Sequence, residues 1–276
     1  MWGSPPGRSW AVLHAAQAAI VLFASVAVAQ HNQLTPKEKA AGWTLLFDGK
    51  TFAGWEDPAR KSPPGDSFVI ADGCLKATSK PRLREDLFSR DPFENFELVF
   101  DWRISEGGNS GVKYRIQDHL WVEDPPGTKF EDQVALAYKN RVNKRGDKGH
   151  DYVVGFEYQC IDNERHPDGR RGGSHTSGAL YDVVAPVRQT AKPTGEFNSS
   201  RLLVKGAHVE HWLNGVKVVD ADLSSSLIAQ SAAKRWSPES KVYELLVKQP
   251  VRKGQISLQN HNDEAWFRNI RIRTLK

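Results

Sequence analysis

Charged and amide side chains recur at every second position in four short segments of the chain. They are nine residues: Asp101 and Arg103; Lys113, Arg115 and Gln117; Glu157 and Gln159; Gln259 and His261. Carboxylates and imidazoles move protons, and guanidinium groups stabilise negative charge that develops on an oxygen. Charged and amide groups together also hydrogen-bond the hydroxyl groups of a sugar. The pattern predicts a polar surface that holds a carbohydrate and carries groups for acid–base chemistry.

Each member of this set also has a plainer interpretation. Asp101 with Arg103, or Glu157 with Arg115, would form ordinary cross-strand ion pairs, which contribute little to stability. His261 stands just before an Asn-Asp pair, so it would also serve to cap a turn. Taken one at a time, these plainer interpretations are favoured. Nine such residues on four segments of one domain favour a common site.

The elements that must position these residues are strands. In the segment 95–117, apolar residues at 96, 98, 100 and 102 alternate with residues that include Asp101 and Arg103. After a turn at Gly107-Gly108, apolar and polar residues alternate again from Val112 onward. Such alternation predicts antiparallel strands with one face on a core. Because adjacent strands lie about 4.8 Å apart, side chains on neighbouring outer faces are expected to converge.

Short strands and tight turns continue along most of the chain. Turns are predicted at residues 47–50, at Asp72-Gly73 and at Asn214-Gly215, and a short helix is expected to begin near Thr35. Regularly spaced strands of this kind predict an all-β sandwich. Two insertions, 118–151 and 223–246, interrupt them, with helix expected near 132–140 and 226–236. Insertions of this length usually wall a binding site or are mobile.

The first 29 residues have the features of an export signal. Arg8 precedes an apolar stretch from residue 10 to 26, and Ala27-Val28-Ala29 supplies the small residues that a signal peptidase accepts. We expect cleavage near Ala29, a periplasmic or secreted location, and no membrane span in the mature chain. The remainder, residues 30–276, fits one large domain.

Charge and cysteine content say little about a partner. The 38 basic and 33 acidic residues are interleaved and give a net charge of +5, so nucleic acid is not expected as a partner of an exported chain without a basic stripe. Cys74 and Cys160 are the two cysteines. They could pair in an oxidising compartment, but a domain of this size does not depend on a disulfide.

A series of motifs extends over nearly the whole chain after residue 41. They are 42–50 (GWTLLFDGK) with Gly54-Trp55, 96–103 (FELVFDWR), 107–112 (GGNSGV) with Arg115, 157–163 (EYQCIDN), 177–181 (SGALY), 212–215 (WLNG), 256–261 (ISLQNH) and 266–270 (WFRNI). In this order they resemble the DUF1080 family, also called the 3-keto-disaccharide hydrolase domain. Two positions depart from the family pattern, with Asp101 in place of the usual Glu and Asn260 in place of the usual Asp.

The resemblance implies a fold and an activity. The expected fold is a concanavalin A-like jelly-roll β-sandwich with a concave ligand face and, in this chain, short helical insertions. The expected activity is on oxidised sugars, usually in exported bacterial proteins. Substrate preference is expected to diverge in the insertion 118–151.

A ketone at C3 of a sugar changes how the glycosidic bond can break. The ketone acidifies the neighbouring C–H, and the glycosidic oxygen lies β to the resulting enolate. Elimination followed by addition of water then gives net hydrolysis. This route needs a base for the C–H, a cation or donor for the enolate oxygen, and an acid for the leaving group.

These roles can be assigned to residues as a hypothesis. Glu157 or His261 is the base, and Arg115 stabilises the oxyanion. Asp101 orients Arg103 or acts as the proton donor. Substrate contacts are expected from Arg103, Asn109, Lys113, Gln159, Asp162, Tyr181 and Gln259.

Neither a cofactor nor a protein partner is fixed by these residues. A divalent metal held by Glu157 with Asp162 or His261 is an alternative to the arginine, because such an ion polarises a carbonyl. The substrate is expected to be an oxidised glycoside, and its chemistry requires an upstream sugar oxidoreductase.

Two other functions fit the same residues. Ordinary glycoside hydrolysis would use Asp101 and Glu157 as paired carboxylates, with a separation of about 5.5 Å or roughly 6.5–9.5 Å. A non-catalytic carbohydrate-binding module is the alternative from a different class, since the same sandwich also serves lectins. A lectin would show aromatic platforms and a shallow site, whereas a keto-sugar enzyme would show a walled pocket with convergent Arg, Glu and His.

Overall fold

The computed structural model describes residues 1–3, 31–57, 65–123, 125–140 and 149–276. Residues His31–Lys276 form one compact unit. The predicted signal peptide, residues 1–29, lies outside the described residues except for its first three. None of the helices in the described ranges is long and apolar enough to cross a membrane.

Thirteen strands, numbered along the chain, form two antiparallel sheets in the described residues. The eight-stranded sheet contains β1 (Thr44–Leu45), β3 (Phe68–Ala71), β4 (Cys74–Ala77), β6 (Phe96–Ile104), β9 (Asn198–Lys205), β10 (His208–Leu213), β11 (Val216–Asp222) and β13 (Ala265–Thr274). Its order is β11-β10-β9-β6-β13-β4-β3, with β1 also paired to β13. The five-stranded sheet contains β2 (Trp55–Glu56), β5 (Leu87–Ser89), β7 (Asn109–Val122), β8 (His150–Ile161) and β12 (Ser257–Leu258) in the order β2-β5-β12-β7-β8.

The core lies between the two sheets and is made by the inward half of each alternating strand. Phe100 of β6 meets Tyr158 of β8 edge-to-face, with ring centroids 5.4 Å apart. The Trp102 indole N–H donates to Ser200 Oγ at 2.9 Å, which satisfies its polar atom in the core. The all-β jelly-roll sandwich predicted from the sequence is confirmed. Because the inward faces pack on each other, the two outer faces point away from the core in opposite directions.

A bulge interrupts β7 at Arg115. The register of β7 with β8 shifts between Tyr114 and Asp118, and Arg115 has a left-handed φ of 52°. Two glycines make room for the bulge. A Cβ on Gly155 would lie 3.0 Å from the Tyr114 carbonyl oxygen, and one on Gly254 would lie 2.8 Å from the backbone of the residue after Arg115. The alternation read from the sequence therefore stops at Tyr114.

Four α-helices are present in the described ranges, and three of them come from the insertions. They are α1 (Pro36–Ala40), capped by Thr35 and Glu38; α2 (Phe130–Asn140); α3 (Ser226–Arg235); and α4 (Lys241–Tyr243), which continues as a π-helix over Glu244–Lys248. The helices predicted near 132–140 and 226–236 are confirmed, although β7 runs on to Val122, further than expected. The insertions share a second small core, which includes Val122, Val134, Trp236 and Val242.

Both cysteines are free and buried, Cys74 in the eight-stranded sheet and Cys160 in the five-stranded sheet.

Candidate active site

A cavity of about 540 Å³ lies over the outer face of the five-stranded sheet. Its floor is the pair of strands β7 and β8, where Lys113 is the direct cross-strand neighbour of Glu157, and Gly111 that of Gln159. Its wall is supplied by the insertions, through Phe130, Arg235 and Trp236. The volume falls within the range of small-molecule binding sites, roughly 300–1,000 Å³.

The Glu157 carboxyl group lies across the neighbouring strand, above Gly111. A Cβ on Gly111 would be 2.0 Å from Glu157 Oε1, so only glycine leaves space for this side-chain position. Burial raises the pKa of Glu157 to about 7, and the charges of Asp86 and Asp168 add to the effect, while Lys113 opposes it. A carboxyl group with this pKa exchanges protons readily near neutral pH.

Lys113 is the cation beside this carboxyl group. Its residue is only 5 % exposed, and its Nζ lies 3.6 Å from Asp86 Oδ2. Asp86 is itself buried, and its Oδ1 accepts the Asn260 N–H at 3.1 Å. Burial raises the pKa of Asp86 to about 6, against the opposing charge of Lys113. Asp86 thus forms a buried ion pair with the ammonium group of Lys113.

His261 stands in the same cavity with a neutral ring. Burial, together with the positive charges of Arg84 and Lys113, lowers the pKa of His261 to about 3. The ring of His166 meets it edge-on, with centroids 5.9 Å apart. His166 Nδ1 accepts the Asp168 N–H at 3.1 Å, so the neutral ring carries its proton on Nε2.

A divalent metal has one candidate site in this cavity among the described residues. His166, His261 and Asp263 present ligand atoms that all lie within 4.8 Å of one another. Two imidazoles and a carboxylate suit Zn²⁺ and related ions. Ligation through His166 Nε2 would require its proton to move to Nδ1 and would displace the Asp168 N–H. A second group, His208, Glu210 and Asp220, lies on the eight-stranded sheet with the Lys217 ammonium 2.5 Å from Asp220.

Amide groups and a tyrosine complete the polar lining. Gln159 Nε2 donates to Asn109 Oδ1 at 3.3 Å, and the amide oxygens of Gln159 and Gln259 have no hydrogen-bond partner in the described structure. Unpartnered buried acceptors are costly, so both oxygens are suited to take a hydroxyl proton from a ligand. The Tyr181 hydroxyl donates to Asp168 Oδ2 at 2.6 Å. Burial and this donated bond raise the pKa of Tyr181, which remains a phenol.

Comparison with known proteins points to one family. The sequence model of the 3-keto-alpha-glucoside-1,2-lyase-like domain matches residues 42–273. The 3-keto-disaccharide hydrolase of Bacteroides thetaiotaomicron is 31 % identical over 272 residues, which cover 94 % of this chain and 87 % of that protein. The chain belongs to the 3-keto-alpha-glucoside-1,2-lyase-like family. The family predicted from the sequence is therefore confirmed.

Solved structures agree with this membership. One structure from Parabacteroides distasonis, described provisionally as a glycosyl hydrolase, is 26 % identical and covers 90 % of this chain and all of that one, with a TM-score of 0.64. A second structure from the same organism, with the same description, is 24 % identical, covers 84 % of this chain and 99 % of that one, and has a TM-score of 0.56. Because the second structure is less than 25 % identical to this chain, its similarity supports the fold alone.

Seven residues predicted from the sequence lie together in this family member. The cavity is lined by Asn109, Lys113, Glu157, Gln159, Tyr181, Gln259 and His261. The structure thus brings both candidate bases, Glu157 and His261, into one cavity. Their roles remain predictions, because position alone does not test them.

Asp101 and Arg103 do not join them. Both lie on the outer face of β6 in the eight-stranded sheet, on the far side of the sandwich. Asp101 Oδ2 accepts from Asn269 Nδ2 at 2.6 Å, and the Arg103 guanidinium lies 4.2 Å from the centre of the Trp266 ring. The expected convergence was wrong here because alternation identifies an outward face but not the sheet to which it belongs.

Arg115 and Asp162 also lie outside the cavity lining. At the bulge, the Arg115 side chain leaves the row of outward residues and donates to the carbonyl oxygens of Gly206 and Arg252. Asp162 accepts the N–H groups of Gly107, Glu164 and Arg165 at 2.8 to 3.1 Å and so shapes the loop that leads to His166. The expected oxyanion role of Arg115 and metal role of Asp162 do not fit these positions.

Several lining residues were not predicted. Asp168 comes from a loop, Arg84 from the approach to β5, and Arg235 with Phe130 from the insertions. None of them has a periodic pattern that marks an outward strand face. Gly111 is the one feature of the sequence that could have indicated this arrangement, because a glycine inside a strand indicates that another group approaches its backbone closely.

Proposed function

We propose that this protein is an enzyme that cleaves the glycosidic bond of 3-keto-glycosides by elimination followed by hydration. The observation that carries the proposal is a carboxyl group with a pKa of about 7, Glu157, beside the buried ammonium of Lys113 in a walled cavity. Cleavage of glycosidic bonds in general, without regard to the mechanism, is supported by the family match and by the name of the Bacteroides relative.

The reaction needs no redox step and no change in the number of atoms beyond one water. A base removes the proton at C2, and the electron pair forms an enolate at the C3 oxygen. The enolate re-forms the C3 carbonyl, a C1–C2 double bond appears, and the C1–O bond breaks with protonation of the departing oxygen. Water then adds at C1, and a proton returns to C2. The products are a free 3-keto sugar and the alcohol.

Glu157 is assigned as the base. At neutral pH a group with this pKa is partly ionised and accepts the C2 proton; once protonated, it is able to deliver that proton to the departing oxygen. A single carboxyl group then serves the first two proton transfers.

Lys113 takes the role that the sequence had suggested for Arg115. Its ammonium is nearly inaccessible to solvent and is held by Asp86, so it is oriented before the substrate arrives. A fixed positive charge in a site of low polarity stabilises an enolate oxygen strongly. The neutral ring of His261 and the neighbouring ring of His166 are available for hydrogen bonds to the sugar or to the attacking water.

The other functions have less support. Paired carboxylates at Asp101 and Glu157 would need to share one site, but the two residues belong to different sheets. A binding module has no need of a buried carboxyl group whose ionised form is disfavoured. Such a group is expected where protons are transferred.

The test compares oxidised and unoxidised substrates. Purified protein is incubated with a disaccharide and with its 3-keto derivative, with and without a chelator, and released sugar is quantified. We expect release from the 3-keto compound alone. Equal release from both compounds would contradict the proposal. Loss of activity with chelator would show that a metal takes part, and His166, His261 and Asp263 are the candidate ligands.

Export and an upstream oxidoreductase remain proposals. The N-terminal sequence of the protein recovered from expressing cells tests cleavage near Ala29. An oxidoreductase that forms 3-keto sugars must act first, because the C2 proton of an unoxidised sugar is not acidic enough for this route.

A further inference from the structure

The wall of the cavity has a different composition from its floor. Phe130 at the start of α2, Trp236 after α3, and Tyr152 of β8 form an aromatic group. Ring centroids are 5.1 Å apart for Phe130 and Tyr152, 6.2 Å for Phe130 and Trp236, and 5.9 Å for Tyr152 and Trp236. The two insertions therefore meet in one apolar surface that faces the ligand space.

Arg235 lies on this aromatic group at the end of α3. The centre of its guanidinium is 4.9 Å from the ring centre of Phe130 and 5.2 Å from that of Trp236. Its Nε donates to Glu131 Oε1 at 2.9 Å. These contacts hold the planar group in place while its two terminal nitrogens are not used by a hydrogen bond in the described structure.

Arg235 lines the same cavity as Glu157 and Tyr181. In addition to Lys113 on its floor, the cavity therefore has a cation on its wall, Arg235. The chain supplies it from an insertion and not from the sandwich.

We propose that Arg235, Phe130 and Trp236 form the binding site for the leaving group, and that this site takes a second sugar ring. The proposal rests on the proposed function. Aromatic rings offer an apolar surface for the C–H face of a pyranose, and an arginine fork donates to two neighbouring hydroxyl groups. A fixed cation–aromatic wall suits a neutral sugar better than an apolar aglycone, which would leave the guanidinium donors without acceptors.

The position follows from the reaction. The C2 proton and the C3 oxygen of the oxidised ring must lie at Glu157 and Lys113, which fixes that ring on the floor. Whatever is attached through the C1 oxygen must extend into the remaining space. The insertion wall bounds part of that space, and it supplies the aromatic rings found there together with the Arg235 guanidinium.

The experiment compares two substrates that differ only in the leaving group, a 3-keto-disaccharide and the corresponding methyl 3-keto-glycoside. Arg235→Gln is expected to lower kcat/KM for the disaccharide by about 10- to 100-fold, the range for hydrogen bonds from a charged group. The same variant should change kcat/KM for the methyl glycoside by less than about threefold. Phe130→Leu is expected to show the same selectivity to a smaller extent.

Two further variants separate binding from folding of the wall. Lys234→Gln changes an exposed charge one position away on the same helix and should leave the ratio of the two kcat/KM values near that of the wild type. Glu131→Gln removes the ion pair that holds the guanidinium in place, so it should shift the ratio in the same direction as Arg235→Gln, by a smaller factor. Thermal melting of all variants reports on the fold.

Equal losses on both substrates in Arg235→Gln would overturn the leaving-group site while leaving the proposed function intact. If the wild type cleaves neither keto substrate, the proposed function fails. In that case calorimetry with the unoxidised disaccharide and the methyl glycoside still tests the wall. Weaker disaccharide binding in Arg235→Gln, with unchanged methyl glycoside binding, supports it, and no difference overturns it.

Discussion

The two outer faces of the sandwich carry similar residues and have different properties. On the eight-stranded sheet, Glu97 is bound by Arg201 and Arg273 from the two neighbouring strands, so each charge has a partner within the sheet. Beside the five-stranded sheet, Lys113 is the cation that acts most strongly on both Glu157 and Asp86, and Arg235 and Arg84 add smaller effects. On the first face the acidic groups are neutralised by ion pairs along the sheet. On the second face, burial outweighs the attraction of the cations and raises the pKa of both carboxyl groups.

Electrostatics follow the same division. For Glu210 on the eight-stranded sheet, burial raises the pKa, but hydrogen bonds from Trp212 and Lys217 outweigh it and hold the value below the usual range. For Glu157, burial dominates and the pKa rises to about 7. The two carboxyl groups differ because the insertions cover the outer face of the five-stranded sheet and exclude water from Glu157, whereas they do not cover Glu210. Residue type alone does not make a reactive carboxyl group; removal of water does.

The largest expected effect comes from matched acid-to-amide changes on the two faces. Glu157→Gln removes the proposed base and should lower kcat for a 3-keto-glycoside by about 10²- to 10⁴-fold. Glu97→Gln should leave kcat unchanged and lower the melting temperature, because it leaves Arg201 and Arg273 partly unpaired. Steady-state kinetics and thermal melting of both variants make the check. Similar kinetics in the two variants would remove the distinction between the faces.

A smaller effect is expected from matched changes of the cations. Lys113→Gln removes the charge beside the enolate oxygen and should lower kcat by about 10²- to 10³-fold. Arg103→Gln alters a residue stacked on Trp266 and should have no effect on kcat. If Lys113→Gln raises KM and leaves kcat unchanged, Lys113 binds the ground state only and the enolate role is wrong.

Gly111→Ala changes the position of Glu157 without changing its chemistry. The added methyl group occupies the space of the carboxyl group, which must move, and a displacement of about 1 Å is able to cost on the order of 100-fold in kcat. Adding the same change to Glu157→Gln should cost little more, because the base is already absent. A crystal structure of Gly111→Ala with an unmoved Glu157 side chain would contradict this explanation.

The smallest of these effects is a shift in the pH profile. Glu157 must be ionised in the free enzyme, so kcat/KM should rise with pH through about 7 and level off above it. Asp86 helps to raise that pKa, so Asp86→Asn should move the rising limb to lower pH. Arg84, Lys113, Arg235, Asp168 and the neutral His261 also face this carboxyl group and stay constant in the comparison. If the pH profile of Asp86→Asn matches that of the wild type, the charge of Asp86 does not affect the pKa of Glu157, and this explanation of the raised pKa is wrong.

The sequence predicted the sandwich well because burial on one face leaves a period of two in the strands. The same period predicted Glu157, Gln159 and Lys113 as outward residues. The period of two could not show that Asp101 lies on the opposite side of the molecule from Glu157, because strands of both sheets show the same alternation of inward and outward residues. The bulge at Arg115 depends on Gly155 and Gly254, which become adjacent only after folding.

The wall was harder to predict for a different reason. Helix formation in the insertions was readable from composition, and α2 and α3 lie close to where they were expected. The contact of Arg235 with Phe130 joins residues about a hundred positions apart, and no local pattern encodes it. Loop residues such as Asp168 are likewise positioned by backbone hydrogen bonds and not by periodicity.

The most direct test of the central claim is the fate of the C2 proton. A 3-keto-glycoside is cleaved in D₂O, and the released keto sugar is examined by NMR, with the free keto sugar in protein-free buffer as a measure of background exchange. We expect deuterium at C2 of every product molecule from the wild type, incorporated as fast as the sugar is released. A product that keeps hydrogen at C2 would contradict the proposed route, in which Glu157 removes that proton and passes it to the departing oxygen.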